Sequence, residues 1–532
     1  MGDTTNYLRA FAGFPRSLRR FLRQPLALDA ARTVVADRLA RREETLLRIV
    51  ERGIYDHPPS PYLRLLRVAG CERADFRALV AQKGVDDALR VLRASGVYVT
   101  FEEFKGRAPI VRGGTVIPVT ATDFDSPFAR HDLTLSTGGS TGAATAVHQD
   151  LDYIAASAPA HLLMLDAWGV VDAPAVLWMQ ILPGAGLRFL LLRARFVRTK
   201  ERWCSDAGWF DARSWPKYGL ATLYSLAWMR AMGIDVGVPE IVRRDDAIRV
   251  VRHVRETLEK RGRCLLYCTV SCGLRVALAA EKAGLDLTGV TVRVGGEPVT
   301  PAKVAAMRRA GLRVMPAYGA IETGSIGIGC PLPVESDHVH LAGDAVALIT
   351  HPVAAKGADG PAQAFNLTSL LDASPKVMLN YQIDDHGVVE TRACGCPLHA
   401  AGYRTSLHSI RSYSKLVGEG VTLMGIEIER VLEEVLPSRL GGGPLDYQLQ
   451  ESEDADGFTR VHLVISPRVA IRDERDAVRV FIEALREASP RGDAGGSVWE
   501  QAGTVQVLRE EPVSTARGKL MPVHVHAPGS RS

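Results

Sequence analysis

Apolar residues recur in this chain at two spacings, and the change from one to the other divides it. Between Leu28 and Gly53 they fall at helical intervals among many Arg and Glu residues, and Asp75 to Ser95 repeats the pattern. Residues 1–100 are therefore expected to form a helical layer packed on a larger body. Short apolar runs at Val97–Phe101 and Thr115–Val119 predict strands leading into a glycine-rich loop. Beyond the loop, Tyr153–Trp168 reads as a helix, and Ala175–Arg195 as strand-like runs with a turn at Pro183-Gly184. From Asp245 to Leu312 the order is helix then strand, twice: a helix to Arg261, a strand Cys264–Thr269, a helix to Ala283 and a strand Val290–Val294. Such alternation predicts a mostly parallel sheet with helices on both faces, with ligands beyond the carboxyl ends of its strands.

The last stretch has a different rhythm. A helix Gly425–Leu436, two strands flanking a turn at Asp454–Gly457, a helix Asp473–Ala488 and a strand Thr504–Leu508 predict a small separate unit. The fold class expected is α/β: a large N-terminal body with mostly parallel sheets, and a small mobile α+β C-terminal domain. The boundaries expected are a helical layer 1–100, a main domain 101–410 and a lid domain 411–532.

Composition narrows the classes of function. With 532 residues and 46% hydrophobic content, the chain can bury several cores, which excludes disorder as its main state. A net charge of +5 spread among nearly as many acids gives no case for nucleic acid as a partner. The longest apolar region, Ala173–Leu192, is broken by Gln180, Pro183 and Arg188, so no membrane span is expected, and a cytoplasmic enzyme is the default. Five of the seven Trp residues lie between Trp168 and Trp215, an aromatic cluster that is either core or the wall of a pocket for a hydrophobic acid.

Chemistry concentrates in a few stretches. Leu135–Thr145 packs five Ser/Thr hydroxyls and three glycines into eleven residues, the composition of a loop that wraps phosphate oxygens, or else of a plain surface turn. It lacks the Gly-Lys-Ser/Thr ending of a Walker A loop. Gly295-Gly296-Glu297-Pro298 and Tyr318-Gly319-Ala320-Ile321-Glu322-Thr323 fall at predicted strand ends. Their glycines let a planar ring approach the backbone, and Glu322 offers a hard oxygen suited to Mg²⁺ beside a triphosphate. Turns with solvated carboxylates are the alternative for each.

With Tyr381-Gln382-Ile383-Asp384-Asp385, Arg411 and Gly518-Lys519, these six motifs stand in the order of the acyl-adenylate-forming superfamily, which the chain resembles from about Tyr62 onward. Within it the chain looks most like the phenylacetate-CoA ligase branch, with its relatives the coenzyme F390 synthetases and the acyl-protein synthetases of luminescence. The resemblance implies a two-step reaction. A small-molecule carboxylic acid attacks the α-phosphate of ATP, releasing pyrophosphate, and a thiol or amine then displaces AMP from the acyl-adenylate. It implies that Ser136, Thr137, Gly138, Ser140, Thr141 and Gly142 cradle the β- and γ-phosphates and that Glu322 holds Mg²⁺. Gly296, Glu297 and Pro298 would lie against adenine, Tyr318 would stack on it, Gly319 would belong to the same nucleotide site, Asp385 would accept from the ribose hydroxyls and Thr323 would touch the α-phosphate. Lys519 would reach the carboxylate and the bridging oxygen, a double contact that suits a compact ammonium, and the C-terminal domain would rotate about a hinge near Arg411. Ile410-Arg411-Ser412-Tyr413-Ser414 stands where the family has Gly-Arg-x-Asp-Asp, and Ala144-Thr145 where it has Pro-Lys or Pro-Thr.

The eight cysteines do not form a disulfide framework. Cys330, His340 (or His338), Cys394 and Cys396 could make a closed tetrahedral site for structural Zn²⁺, which the phenylacetate-CoA ligase branch also resembles at matching places; unlinked buried thiols are the alternative. Coenzyme A is the expected acceptor. A protein thiol, a carrier protein or an amine is a second possibility, with Cys268 and Cys272 as internal thiols, and a non-catalytic nucleotide-binding protein a third.

Overall fold

The computed structural model describes residues 13–130, 132–136, 146–197, 201–206, 218–353, 362–412, 425–453, 459–488, 505–515 and 519–525. Most of the predicted phosphate loop, Tyr413-Ser414, the Asp454–Gly457 turn, Trp215 and Gly518 lie outside them.

One sheet of twelve strands runs through the larger body. Its parallel half is ordered Glu240–Ile241, Arg202–Ser205, Ala175–Trp178, Cys264–Thr269, Val290–Gly295 and Arg313–Ala320. Antiparallel strands continue it as Gly324–Gly329, Val339–Leu341, Thr405–Ser412, Tyr381–Thr391, Ala362–Ser369 and Val346–Val353. The inner strands of the parallel half are buried on both faces, so they read as near-continuous apolar runs, and helices cover them. Ala247–Arg261, Val270–Lys282 and Pro301–Arg309 close a core of Val250, Val254, Leu266, Val276 and Val292 on one face. Leu151–Ala167 and Gly186–Arg193 cover the other, over Leu177, Tyr267 and Met315. The helix Ala247–Arg261 stops at Gly262, whose φ of 71° suits a residue without a Cβ.

Two expected strands are not formed. The apolar run after Pro183 is the helix Gly186–Arg193, because Leu187, Phe189, Leu190, Leu191 and Leu192 are all buried, and a segment apolar all round has no period to separate helix from strand. Val97–Phe101 contributes a single bridge, Val99 to Tyr381, and then turns into the helix Phe101–Phe104. A capping box decides it: Thr100 Oγ1 accepts from Glu103 N at 3.4 Å, and Glu103 Oε2 accepts from Thr100 N at 2.7 Å.

Near the C-terminus, a four-stranded sheet in the order Val505–Leu508, Thr459–Ile465, Tyr447–Glu453, Val523–Val525 packs against the helix Glu474–Ala488. It buries a core of its own around Ile428, Leu449, Leu463 and Phe481.

Candidate active site

The carboxyl ends of Cys264–Thr269, Val290–Gly295 and Arg313–Ala320 open onto a cavity of about 450 Å³. Its wall includes Gly296–Pro298, Tyr318–Thr323, Asp385, Arg411 and Lys519, segments more than two hundred residues apart in sequence. Gly296 has φ of 81°, a backbone conformation that favours glycine, and Lys519 Nζ lies 3.4 Å from where a Cβ on it would be, so the lysine reaches this strand end. Lys519 is itself held by the bond from Thr515 N to its carbonyl, 2.8 Å, and by its own N donating to Thr515 Oγ1 at 3.2 Å.

The carboxylates of the site are engaged. Glu297 is buried and accepts from Ser271 N at 2.6 Å, Ser271 Oγ at 2.9 Å and Leu520 N at 3.1 Å, with burial pushing its pKa up. Glu322 is buried too, and Lys105 Nζ lies 2.6 Å from its Oε1. Tyr318 donates its hydroxyl to Asp385 Oδ2 at 2.7 Å, and burial raises the phenol's pKa well above its ordinary value. Gly319 lies where any Cβ would run into the Gly324 carbonyl, and Thr323 Oγ1 accepts from Ala320 N at 3.3 Å, which pins the tight turn presenting Glu322. Arg411 bonds Asp337 at 3.1 Å and pairs with Glu429 at 2.5 Å. Ser136 ends the strand Leu133–Ser136 opposite Ala146, while Thr137, Gly138, Ser140, Thr141 and Gly142 fall outside the described residues.

A second cluster lies at the far end of the neighbouring strands. The sulfur and ring-nitrogen atoms of Cys330, His340, Cys394 and Cys396 are all within 4.8 Å of one another. His340 Nε2 is 3.5 Å from Cys394 Sγ and 3.2 Å from Cys396 Sγ, and Cys396 Sγ accepts from His399 N at 3.4 Å. Burial takes His340 down to about 4 and Cys330 up to about 12, so neither group welcomes a charge unless a cation is added. His338 faces Val334 N and Arg392 instead, which separates the two histidines.

Lys105, Asp337, Glu429 and Gln149 had not been singled out in the sequence. Gln149 bridges Arg188 Nε, at 3.1 Å, to the Ile321 carbonyl, at 2.8 Å. None sits in a motif, and each is marked only by a partner distant in sequence.

No protein-family model and no curated protein sequence matches the chain. Solved structures do: the fold is that of the AMP-binding acyl-CoA ligases. The crystal structure of 2-hydroxyisobutyryl-CoA ligase in its postadenylation state with 2-HIB-AMP is similar at a TM-score of 0.51 and 14% identity, over 95% of this chain and 91% of that one. O-succinylbenzoate coenzyme A synthetase from Bacillus subtilis, with ATP and magnesium ion, has a TM-score of 0.43 and 14% identity over 73% of this chain and 68% of its own. The anthranilate CoA ligase AuaEII, with anthranoyl-AMP, has 0.44 and 12% over 76% and 67%. No helix among the described residues is long and apolar enough to cross a membrane.

Proposed function

We propose that the chain is an ATP-dependent carboxylic acid ligase that forms an acyl-adenylate with release of pyrophosphate and passes the acyl group to coenzyme A, in the manner of the phenylacetate-CoA ligase branch. The observation that carries the reading is the convergence of Gly296–Pro298, Tyr318–Thr323, Asp385, Arg411 and Lys519 on one cavity. Nothing in a sheet's packing requires a lysine from the last strand-bearing unit to sit against a glycine at the end of a central strand.

On this reading the backbone of Gly296–Pro298 and the ring of Tyr318 receive the adenine, and Asp385 accepts from the ribose hydroxyls while the Tyr318 hydroxyl orients it. Lys519 draws the substrate carboxylate and the α-phosphate together and offsets the charge that builds as the bond to pyrophosphate breaks. Glu322 fits a cation, since its buried carboxylate already faces one in Lys105, and Mg²⁺ bound there would neutralise charge on the phosphates. Ser136, Thr137, Gly138, Ser140, Thr141 and Gly142 are proposed as phosphate donors from sequence. The Cys330, His340, Cys394 and Cys396 cluster has the donor set and closeness for structural Zn²⁺. Acyl transfer to the chain's own Cys268 or Cys272 has little support: both are buried, and burial pushes the Cys272 thiol up to about 12.

The test is pyrophosphate release with ATP and Mg²⁺ over a panel of aromatic, aliphatic and amino acids. Lys519→Ala and Glu322→Gln are expected to lower the acid-dependent rate ~10²- to 10³-fold. Release that is unchanged in both variants, or no release with any acid, would sink the assignment. Consumption of coenzyme A separates thioester formation from amide formation with an added amine.

A further inference from the structure

The acid end of the cavity carries positive charge for which the described chain supplies no counter-charge. Arg293 lies on the strand Val290–Gly295, two residues before Gly295, so its side chain leaves the same face of the sheet one step deeper than the strand end. It lines the cavity beside His161, Arg188 and Phe189. Its neighbour across the sheet is Tyr267, and its guanidinium sits 4.6 Å from the ring centre of Phe189 and 5.8 Å from that of Tyr267. Nε is enclosed without a hydrogen-bond partner, and no carboxylate among the described residues pairs with either Arg293 or Arg188.

Three other enclosed arginines, by contrast, are matched to carboxylates. Arg193, a neighbour of the same cluster, has Glu201 at 2.5 Å and the Ala173 carbonyl at 3.0 Å; Arg112 has Glu103 at 2.9 Å; Arg411 has Asp337 at 3.1 Å. The remaining polar groups near Arg293 cannot serve as its counter-ion. His161 shares a 2.8 Å bond with the Tyr267 hydroxyl, and burial drives the imidazole well below its usual pKa, so it stays neutral. Arg188 spends Nε on Gln149, which ties it to the Ile321 carbonyl beside Glu322. Burial lowers the Arg293 pKa to about 10, with Tyr267 opposing the shift and Arg188 adding to it. At neutral pH the group keeps its charge, uncompensated except by aromatic faces. An unpaired, partly buried cation is costly to hold, and its cost is relieved by an anion delivered from outside.

We propose that the acid activated by this protein is a dicarboxylic acid: one carboxylate meets Lys519 and the α-phosphate, and the second is bound in the depth of the cavity by Arg293, with Arg188 beside it. The inference rests on the acyl-adenylate reading and adds a substrate class to it. A guanidinium with open N–H groups matches a carboxylate in two parallel bonds, and Phe189 and Met164 supply apolar wall for the carbon skeleton between the two ends. A monoacid of the same length would leave Arg293 desolvated and unpaired, which is the situation in which a polar site discriminates most strongly.

Matched acids test this: glutarate against pentanoate, adipate against hexanoate, and 4-carboxyphenylacetate against phenylacetate. Pyrophosphate release is followed for the full-length protein and for Arg293→Met. In the wild type at least one diacid should exceed its monoacid by ~10²-fold or more in kcat/KM. In Arg293→Met the preference should collapse, with the change in KM and kcat little altered, because binding to the distal group is the same before and during reaction. Monoacids that are turned over as well as their diacids by the wild type would overturn the proposal and leave adenylation standing. An equal loss on both acids in the variant would make Arg293 a packing residue and overturn it too. Absence of acid-dependent release in the wild type would remove the adenylation reading itself, and this inference with it.

Discussion

Lys105 and Glu322 face each other at 2.6 Å, with about 6% and 7% of their side chains exposed. A buried pair of this kind is worth little against an apolar substitute, but removing one partner strands the other. Lys105→Met is therefore expected to destabilise the nucleotide-free protein by about 3 kcal/mol. Under the proposed function, a cation brought in with ATP replaces the missing ammonium, so thermal melting should show a larger gain from Mg²⁺ and a non-hydrolysable ATP analogue in the variant than in the wild type. Equal gains would mean that the pair opens for no cation. Glu429 gives a pH signature. Burial lifts its pKa from 4.5 to about 7, opposed by Arg411 and Lys303 and supported by Glu433. The folded carboxyl holds its proton more tightly than the unfolded one, so its stabilising contribution is complete below pH 4.5 and lost as pH rises through about 7. Relative to Glu429→Gln, the wild type should lose on the order of 3 kcal/mol between pH 4.5 and 8, and a pH-independent difference between their denaturation midpoints would refute it.

At the scale of elements, what sequence could carry was local. The strand Cys264–Thr269 and the helices either side of it have sharp period changes and a terminating Gly262, and they fall within two residues of the pattern. The helix Phe101–Phe104 had a local signal as well, Thr100-Phe101-Glu102-Glu103, but its short apolar run imitated a strand. The helix Gly186–Arg193 had none, since all of its residues but Arg188 are buried. The site divides in the same way. Glycine-bearing turns at Gly296 and Gly319 were legible because their backbone geometry restricts residue type. The partners Lys105, Asp337 and Glu429, and the unmatched Arg293, were not, because ion pairs between distant segments leave no local pattern. The Cys330 cluster was legible further: the cysteines stood out and His340 was preferred to His338, and in the fold His340 is the histidine grouped with the three sulfurs. It ties the end of Gly324–Gly329 to Val339–Leu341 and to the helix Pro397–Ala400. Elemental analysis should find about one zinc per chain, lost in Cys396→Ser with a lowered Tm, since metal binding to a folded site adds to stability. A metal-free wild type of unchanged Tm would mean buried thiols only.

Taken whole, the molecule joins a twelve-stranded sheet to a four-stranded one through a small set of enclosed polar ties. Lys303 and Glu433 pair at 2.7 Å, both almost fully buried; Thr300 donates to Glu433; Arg411 holds Glu429; and Glu297 accepts from Leu520 N. A rotation of the C-terminal unit between half-reactions would have to undo these ties once per cycle and rehydrate each charge. Under the proposed function, lobe motion rather than bond chemistry would then be the slow event, and kcat should fall in proportion to added sucrose viscosity, with a slope of about one; a slope of about zero would place the barrier in the chemistry.

The single carboxylate of Glu297 has a further consequence for the order in which molecules come and go. It anchors the floor beside Gly296 through Ser271 and receives the chain next to Lys519 through Leu520, so floor and cover are fastened at one point. Under the proposed function, a nucleotide on that floor would be enclosed for as long as the fastening holds. On the same reading the molecule would work as a turnstile: nucleotide would enter first, and AMP would depart last, only after the cover has let go.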